Sequence, residues 1–235
     1  MHKIALSPVI VERIKARRGG VHAFPTVIPK TTALLVVDMQ NGFCKQGEVT
    51  FVETAPEIVP AINRIAGALR AAGGLVVWIQ LAATRESIAS WSVFYDELVP
   101  NIRGAMIGAL TPGTAAYELW PELDVRPVDL RSVKTRFSAL FPGASDLDFQ
   151  LRLRGIDTVL VTGTVTNVCC ESTARDANML NYRTIFIADA NAARSDEEHN
   201  ATLNAILNNQ GDVRTTDEIV ALIETARRNS TSAQS

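Results

Sequence analysis

Val159-Leu160-Val161-Thr162-Gly163-Thr164-Val165-Thr166-Asn167-Val168-Cys169-Cys170-Glu171-Ser172-Thr173-Ala174 is the stretch whose reading decides the fold. A short apolar, β-branched run ends at Gly163, a polar loop follows, and a cysteine pair opens a segment of helical periodicity. That order marks a strand-to-helix junction, the repeating unit of an α/β fold. It sets Cys169 on the first turn of a helix. There, unsatisfied backbone N–H groups and the positive end of the helix dipole favour thiolate over thiol. A cysteine so placed can be a nucleophile, and the same amides can hold an oxyanion. It can equally be a small buried thiol.

Outward from this junction, strands alternate with helices. Strands are expected at residues 33–38, 75–80, 128–131, 158–162, 184–188 and, weakly, 211–214. The expectation is an α/β, three-layer αβα, Rossmann-like fold with a mostly parallel six-stranded sheet. Thr54, Pro56 and Glu57 predict a capping box at the start of the first crossover helix. Ile58, Val59, Ile62, Ile65, Ala66 and Leu69 give that helix its apolar stripe, and Gly73-Gly74 ends it. Ser195 with Glu198 and Thr215 with Glu218 cap the last two helices. Residues 81–127 are long for a crossover and rich in aromatics, with short helices expected at 87–99 and 114–120. They read as a lid, an oligomer contact or plain packing over the sheet edge.

At 235 residues the chain suits one domain, residues 31–227, with an extension at 1–30 and a polar, frayed tail at 228–235. A formal net charge of −2 gives no electrostatic case for nucleic acid or an anionic membrane. No run approaches the ~20 apolar residues of a membrane span. Three cysteines, two of them adjacent, make no disulfide framework, so a reducing cytoplasm fits best.

In an open parallel sheet, ligands bind beyond the carboxyl ends of the strands. Asp38 ends the first strand, Lys134 follows the third and Cys169 follows the fourth, so all three converge on one rim. Asp38 can serve as base and then acid, and Lys134 can stabilise both the carboxylate and a thiolate. A capping Asp and a solvated surface Lys are the plainer alternatives. Backbone N–H groups of Thr166 and Cys169 are candidates for an oxyanion hole. Gln80, at a strand end, can bond an amide or cap a loop. Phe43, Trp91, Phe137 and Phe141 can wall a pocket or fill core. Arg136 is a carboxylate anchor or an outward-facing charge.

The runs Val36-Val37-Asp38-Met39-Gln40-Asn41-Gly42-Phe43 and Gly163-Thr164-Val165-Thr166-Asn167-Val168-Cys169, with Lys134 between them, resemble the isochorismatase-like cysteine hydrolases. That superfamily includes nicotinamidases, N-carbamoylsarcosine amidases, ureidoacrylate amidohydrolases and biuret hydrolases. The resemblance implies Cys169 as nucleophile, Asp38 as acid–base and Lys134 as third member. It places Val165 and Asn167 against the substrate, makes the Val165–Thr166 peptide cis, and implies a homodimer or homotetramer. Apolar residues at 9–24 suggest that the N-terminal extension contributes to that assembly. Cys170 departs from the small apolar residue usual after the nucleophile.

Nicotinamidases carry an Asp-x-His pattern and a further His after the second strand. Here residues 79–86 hold no histidine, and His2, His22 and His199 lie elsewhere. No metal and no cofactor are therefore expected. The reading that follows is a metal-free cysteine amidohydrolase cleaving a small carbamoyl, ureido or related amide through a Cys169 thioester. The alternatives are an isochorismatase-type vinyl-ether hydrolase using Asp38 and Lys134, or a non-catalytic binding protein on the same fold.

Overall fold

The structure, a computed structural model, describes residues 1–232. Its centre is a six-stranded sheet in the order β3-β2-β1-β4-β5-β6, formed by β1 (Thr32–Val37), β2 (Leu75–Leu81), β3 (Leu130–Lys134), β4 (Thr158–Thr164), β5 (Arg183–Ala192) and β6 (Asp212–Arg214). Every neighbouring pair is parallel. The run Thr-Ala-Leu-Leu-Val-Val of β1 is buried along its whole length, because helices cover both faces.

Alternate residues feed two cores. Leu34, Val36 and Trp78 face α3 (Val59–Ala71) and α9 (Thr216–Ser232). Ala33, Leu35, Val37 and Ile79 face α1 (Pro8–Arg18), α6 (Leu147–Leu153), α7 (Glu171–Met179) and α8 (Asp196–Ala205). Three short helices, α2 (Asn41–Cys44), α4 (Arg85–Ala89) and α5 (Arg103–Leu110), lie around the carboxyl ends of β1 and β2.

The strand expectations hold, with one consequential shift. β3 begins at Leu130, where Asp129 is anchored in a turn by its N–H to the Arg126 carbonyl, so Lys134 closes the strand instead of following it. Ser195 caps its helix by accepting from the Glu198 N–H, and Thr215 forms a full capping box with Glu218. The box expected at Thr54 does not form: the chain enters α3 through a 3₁₀ turn at Pro56–Ile58, and the Thr54 hydroxyl donates instead to the Ala193 carbonyl. Residues 87–99 split into the end of α4 and a π-helical turn, Val93–Leu98. No helix forms at 114–120. That segment pairs with the start of α2, with the N–H groups of Asn41, Gly42 and Trp120 bonded to Glu118 O, Ala116 O and Met39 O at 2.7–2.9 Å.

α9 continues through Ser232, so residues 228–232 are helical rather than frayed; the remainder of the expected tail, 233–235, lies outside the described residues. The N-terminal extension packs part of its apolar side on its own chain. Ile14 is fully buried in its own chain's core, with Leu6, Ile10, Val11 and Val21 packed around it. Ile4, Val9 and Ile28 of the extension stay exposed, at 39%, 68% and 54%.

Candidate active site

Backbone geometry at the end of β1 begins the site. Asp38 sits at φ +51°, turning the chain out of the sheet while its N–H still bonds Ile79 O at 2.9 Å. Next to it, β4 passes so close that a Cβ on Gly163 would stand 2.1 Å from Val37 O. Only glycine permits that approach, at φ +115°. The Gln40 side chain then ties the ends of β1 and β2 together, accepting from Leu81 N–H at 2.8 Å and donating to Leu81 O and Tyr117 O.

These constraints bring Asp38, Lys134 and Cys169 together from three strand ends. Lys134 Nζ stands 2.7 Å from Asp38 Oδ2, with both side chains fully buried. The ammonium also donates to Arg136 O at 3.1 Å. The Cys169 thiol and the Leu81 amide also face the carboxylate. Burial raises the Asp38 pKa, and the neighbouring Lys134 charge only partly offsets this. Burial draws Lys134 down, but Asp38 and Cys169 outweigh it and leave the pKa raised.

Cys169 lies on a π-helical turn, Thr166–Cys170, that leads into α7. Its thiol pKa is raised by burial, with Lys134 lowering it and Asp38 raising it. This corrects the expectation from the helix dipole. An almost fully buried sulfur facing a carboxylate rests as a thiol, and needs a base. The cis peptide lies between Thr164 and Val165, one bond before the expected position. Val165 O accepts from the amides of Val168 and Cys170 but not from that of Cys169. Thr166 Oγ1 is 3.0 Å from His199 Nδ1, and burial brings the His199 pKa down to about 4. Cys170 is core, its sulfur 3.8 Å from Thr162 O.

Cys169 opens on a cavity of 210 Å³. Phe43, Phe137, Val165 and Asn167 line it as expected from the sequence. Four other candidates do not. Gln80 is buried and donates to Tyr117 O at 3.0 Å. Arg136 bonds Ser90 and Thr135 carbonyls beneath the Trp91 ring. Trp91, Arg136 and Phe141 border a separate open groove behind Phe137.

The sequence reading missed Phe94, Met106 and Leu110, the apolar roof supplied by the 81–127 segment, and also Arg194 and Glu198 on the opposite wall. The aromatic density of 81–127 was the available signal for the roof. The Ser195 cap was the signal for the wall, since it fixes where α8 starts. Among the described residues, no three His, Cys, Asp or Glu side chains group as metal ligands. No helix there is long and apolar enough to cross a membrane.

Residues 32–218 match the model of the isochorismatase domain. The chain belongs to the isochorismatase family. Its relatives include an uncharacterized isochorismatase family protein, YwoC, of Bacillus subtilis, 34% identical over 82% of this chain and 94% of its own. The ureidoacrylate amidohydrolase RutB of Caulobacter vibrioides is 34% identical over 70% of this chain and 78% of its own. A cysteine hydrolase from Pseudomonas syringae pv. phaseolicola superimposes with a TM-score of 0.77 at 32% identity, over 87% of this chain and 99% of its own. An N-carbamoylsarcosine amidase from Thermoplasma acidophilum gives 0.64 at 28% identity, over 80% and 97%. The isochorismatase family is one of hydrolases, and the α/β sheet described above is its fold.

Proposed function

We propose that this isochorismatase-family chain is a metal-free cysteine amidohydrolase acting on a small carbamoyl, ureido or related amide. The observation that carries this reading is the buried Asp38–Lys134 ion pair set against the Cys169 thiol in the wall of a small cavity. At 210 Å³ the cavity falls below the ~300 Å³ lower end for drug-sized ligands, which suits a substrate of few heavy atoms.

In this mechanism Asp38 takes the Cys169 proton as the sulfur attacks the substrate carbonyl. The high resting pKa of the thiol makes that transfer necessary, and the raised pKa of Asp38 makes it a better base. Lys134 compensates the negative charge that Asp38 and the sulfur share. The Thr166 and Cys169 amides stabilise the tetrahedral oxyanion. Asp38 then protonates the departing nitrogen, the C–N bond breaks, and a thioester on Cys169 remains. Water, deprotonated by Asp38, hydrolyses it and regenerates the thiol.

Ureidoacrylate and N-carbamoylsarcosine hydrolases among the relatives support the substrate class. Cys44, Cys169 and Cys170 are free thiols, which fits the cytoplasm, and the reading includes a homodimer or homotetramer in solution. The test is ammonia release from biuret, ureidoacrylate, N-carbamoyl amino acids and maleamate, alongside pyruvate release from isochorismate. Turnover of one amide, abolished in Cys169→Ala, is the expected result. Pyruvate release that survives Cys169→Ala would instead identify a vinyl-ether hydrolase, and full amide turnover by Cys169→Ala would end the thioester mechanism.

A further inference from the structure

The match to the family domain begins at residue 32, yet residues before it reach the site. Residues 2–7 run as a strap along α8. Ala5 N–H donates to Asn200 Oδ1 at 2.7 Å, Ser7 N–H donates to Asn204 Oδ1 at 2.8 Å, and Asn200 Nδ2 donates to Lys3 O at 2.9 Å. Two strap residues thus advance with each step of four along the helix, about 6 Å, which requires a nearly extended chain.

At the end of the strap, the His2 side chain is 5% exposed. Ala193 N–H donates to its Nε2 at 2.9 Å, so that nitrogen carries no proton. Nδ1–H then donates to Asp196 Oδ1 at 2.8 Å. The ring stacks on His199 with centroids 4.4 Å apart and planes 18° from parallel. His199, fully buried, meets Thr166 Oγ1 on the loop that carries Cys169. Between Ala193 and His199 lie Arg194 and Glu198, both in the cavity wall.

We propose that His2 is a positioning residue: through its stack on His199 it fixes Thr166, and with it the loop bearing Cys169. Its kinetic consequence rests on the amidohydrolase reading; its effect on the loop does not. On the best amide of the panel, His2→Ala should lower kcat about tenfold while KM changes less than about threefold. His2→Gln, which keeps a donor and an acceptor, should restore most of that loss. In a Thr166→Val background, His2→Ala should cost no more than about twofold further, because the path is already cut.

The activity-independent readout is amide hydrogen exchange on the same variants. In His2→Ala, residues 165–170 should exchange faster while α3 does not change. An unchanged kcat in His2→Ala, or losses that multiply in the double variant, would overturn the proposal. Should the wild type cleave none of the amides, the amidohydrolase reading falls alone. The exchange data then decide the strap, and unaltered protection at 165–170 refutes it.

Discussion

Two ion pairs at opposite ends of the sheet, Asp38–Lys134 at the carboxyl ends of β1 and β3 and Asp129–Arg70 at the amino end of β3, are built in opposite ways. Asp129, just before β3, receives Arg70 through two bonds of 2.7 and 2.8 Å, the Trp78 indole N–H at 2.8 Å and the Arg126 amide at 2.8 Å. Asp38 has Lys134 at 2.7 Å, with the Cys169 thiol and the Leu81 amide beside it. Burial raises the pKa of both carboxyls. At Asp129 the hydrogen bonds overturn that and leave it lowered; at Asp38 they do not, and it stays raised. A carboxylate satisfied on every side serves the fold. One whose burial outweighs its partners, set beside a thiol, is placed to accept a proton.

The sharpest way to break this contrast is kinetic. Asp38→Asn and Cys169→Ala should each lower amide turnover by about 10³-fold or more, with the far-UV circular dichroism unchanged. An Asp38→Asn enzyme within tenfold of wild type would remove the distinction. Next in size, Arg70→Ala should destabilise by about 3 kcal/mol in urea unfolding, since it leaves Asp129 buried and unpaired. Its turnover under native conditions should stay within a few-fold of wild type.

Smaller, and more discriminating, are the paired replacements. Asp38→Asn with Lys134→Met should leave stability unchanged or raise it by about 1–4 kcal/mol while abolishing turnover. Arg70→Met with Asp129→Leu should still lose about 1–3 kcal/mol, because the Trp78 and Arg126 N–H groups lose their acceptor. Equal outcomes for the two pairs would mean that hydrogen-bond satisfaction does not separate them.

Titration gives the same contrast with opposite signs. The folded-state pKa of Asp129 is lowered, so its contribution is present above the unfolded value of about 3.9 and is lost as pH falls through the folded value. Asp38 is raised, so its contribution is present below about 3.9 and is lost as pH rises through the folded value. Urea midpoints between pH 3 and 7 should therefore converge toward acid for wild type and Asp129→Asn. The smallest effect is at Gln80, which lies outside the cavity. Gln80→Leu should cost about 1 kcal/mol and leave kcat within about twofold.

What the sequence made legible follows from how local each feature is. The continuous apolar run of β1 and the run into Gly163 set the sheet, and the motifs around Asp38 and Cys169 set the rim. Boundaries shifted where distant groups intervened: Asp129 delays β3, and Ala193 takes the Thr54 hydroxyl from its cap. The resting state of Cys169 was misjudged because the helix dipole is local, whereas the burial that outweighs it comes from the whole fold. Gln80, Trp91, Arg136 and Phe141 looked like pocket residues by type and place. Their partners, Tyr117, Ser90 and the groove behind Phe137, are visible only once the chain is folded.

The pairing of residues 116–120 with the chain just after β1 makes the 81–127 segment a bracketed module. One bracket is this pairing, and the other is the Gln40 amide that joins β1 to β2. Between them, Phe94, Met106 and Leu110 line the cavity at Cys169; Leu110 is also buried in the core that holds Leu34 and Trp78, with Phe94 and Met106 packed against it. Evolution, or a library designer, can exchange the partly buried Phe94 and Met106 while the machinery beneath stays put. A randomised set at Phe94 and Met106, with the buried Leu110 kept, would sample new substrates.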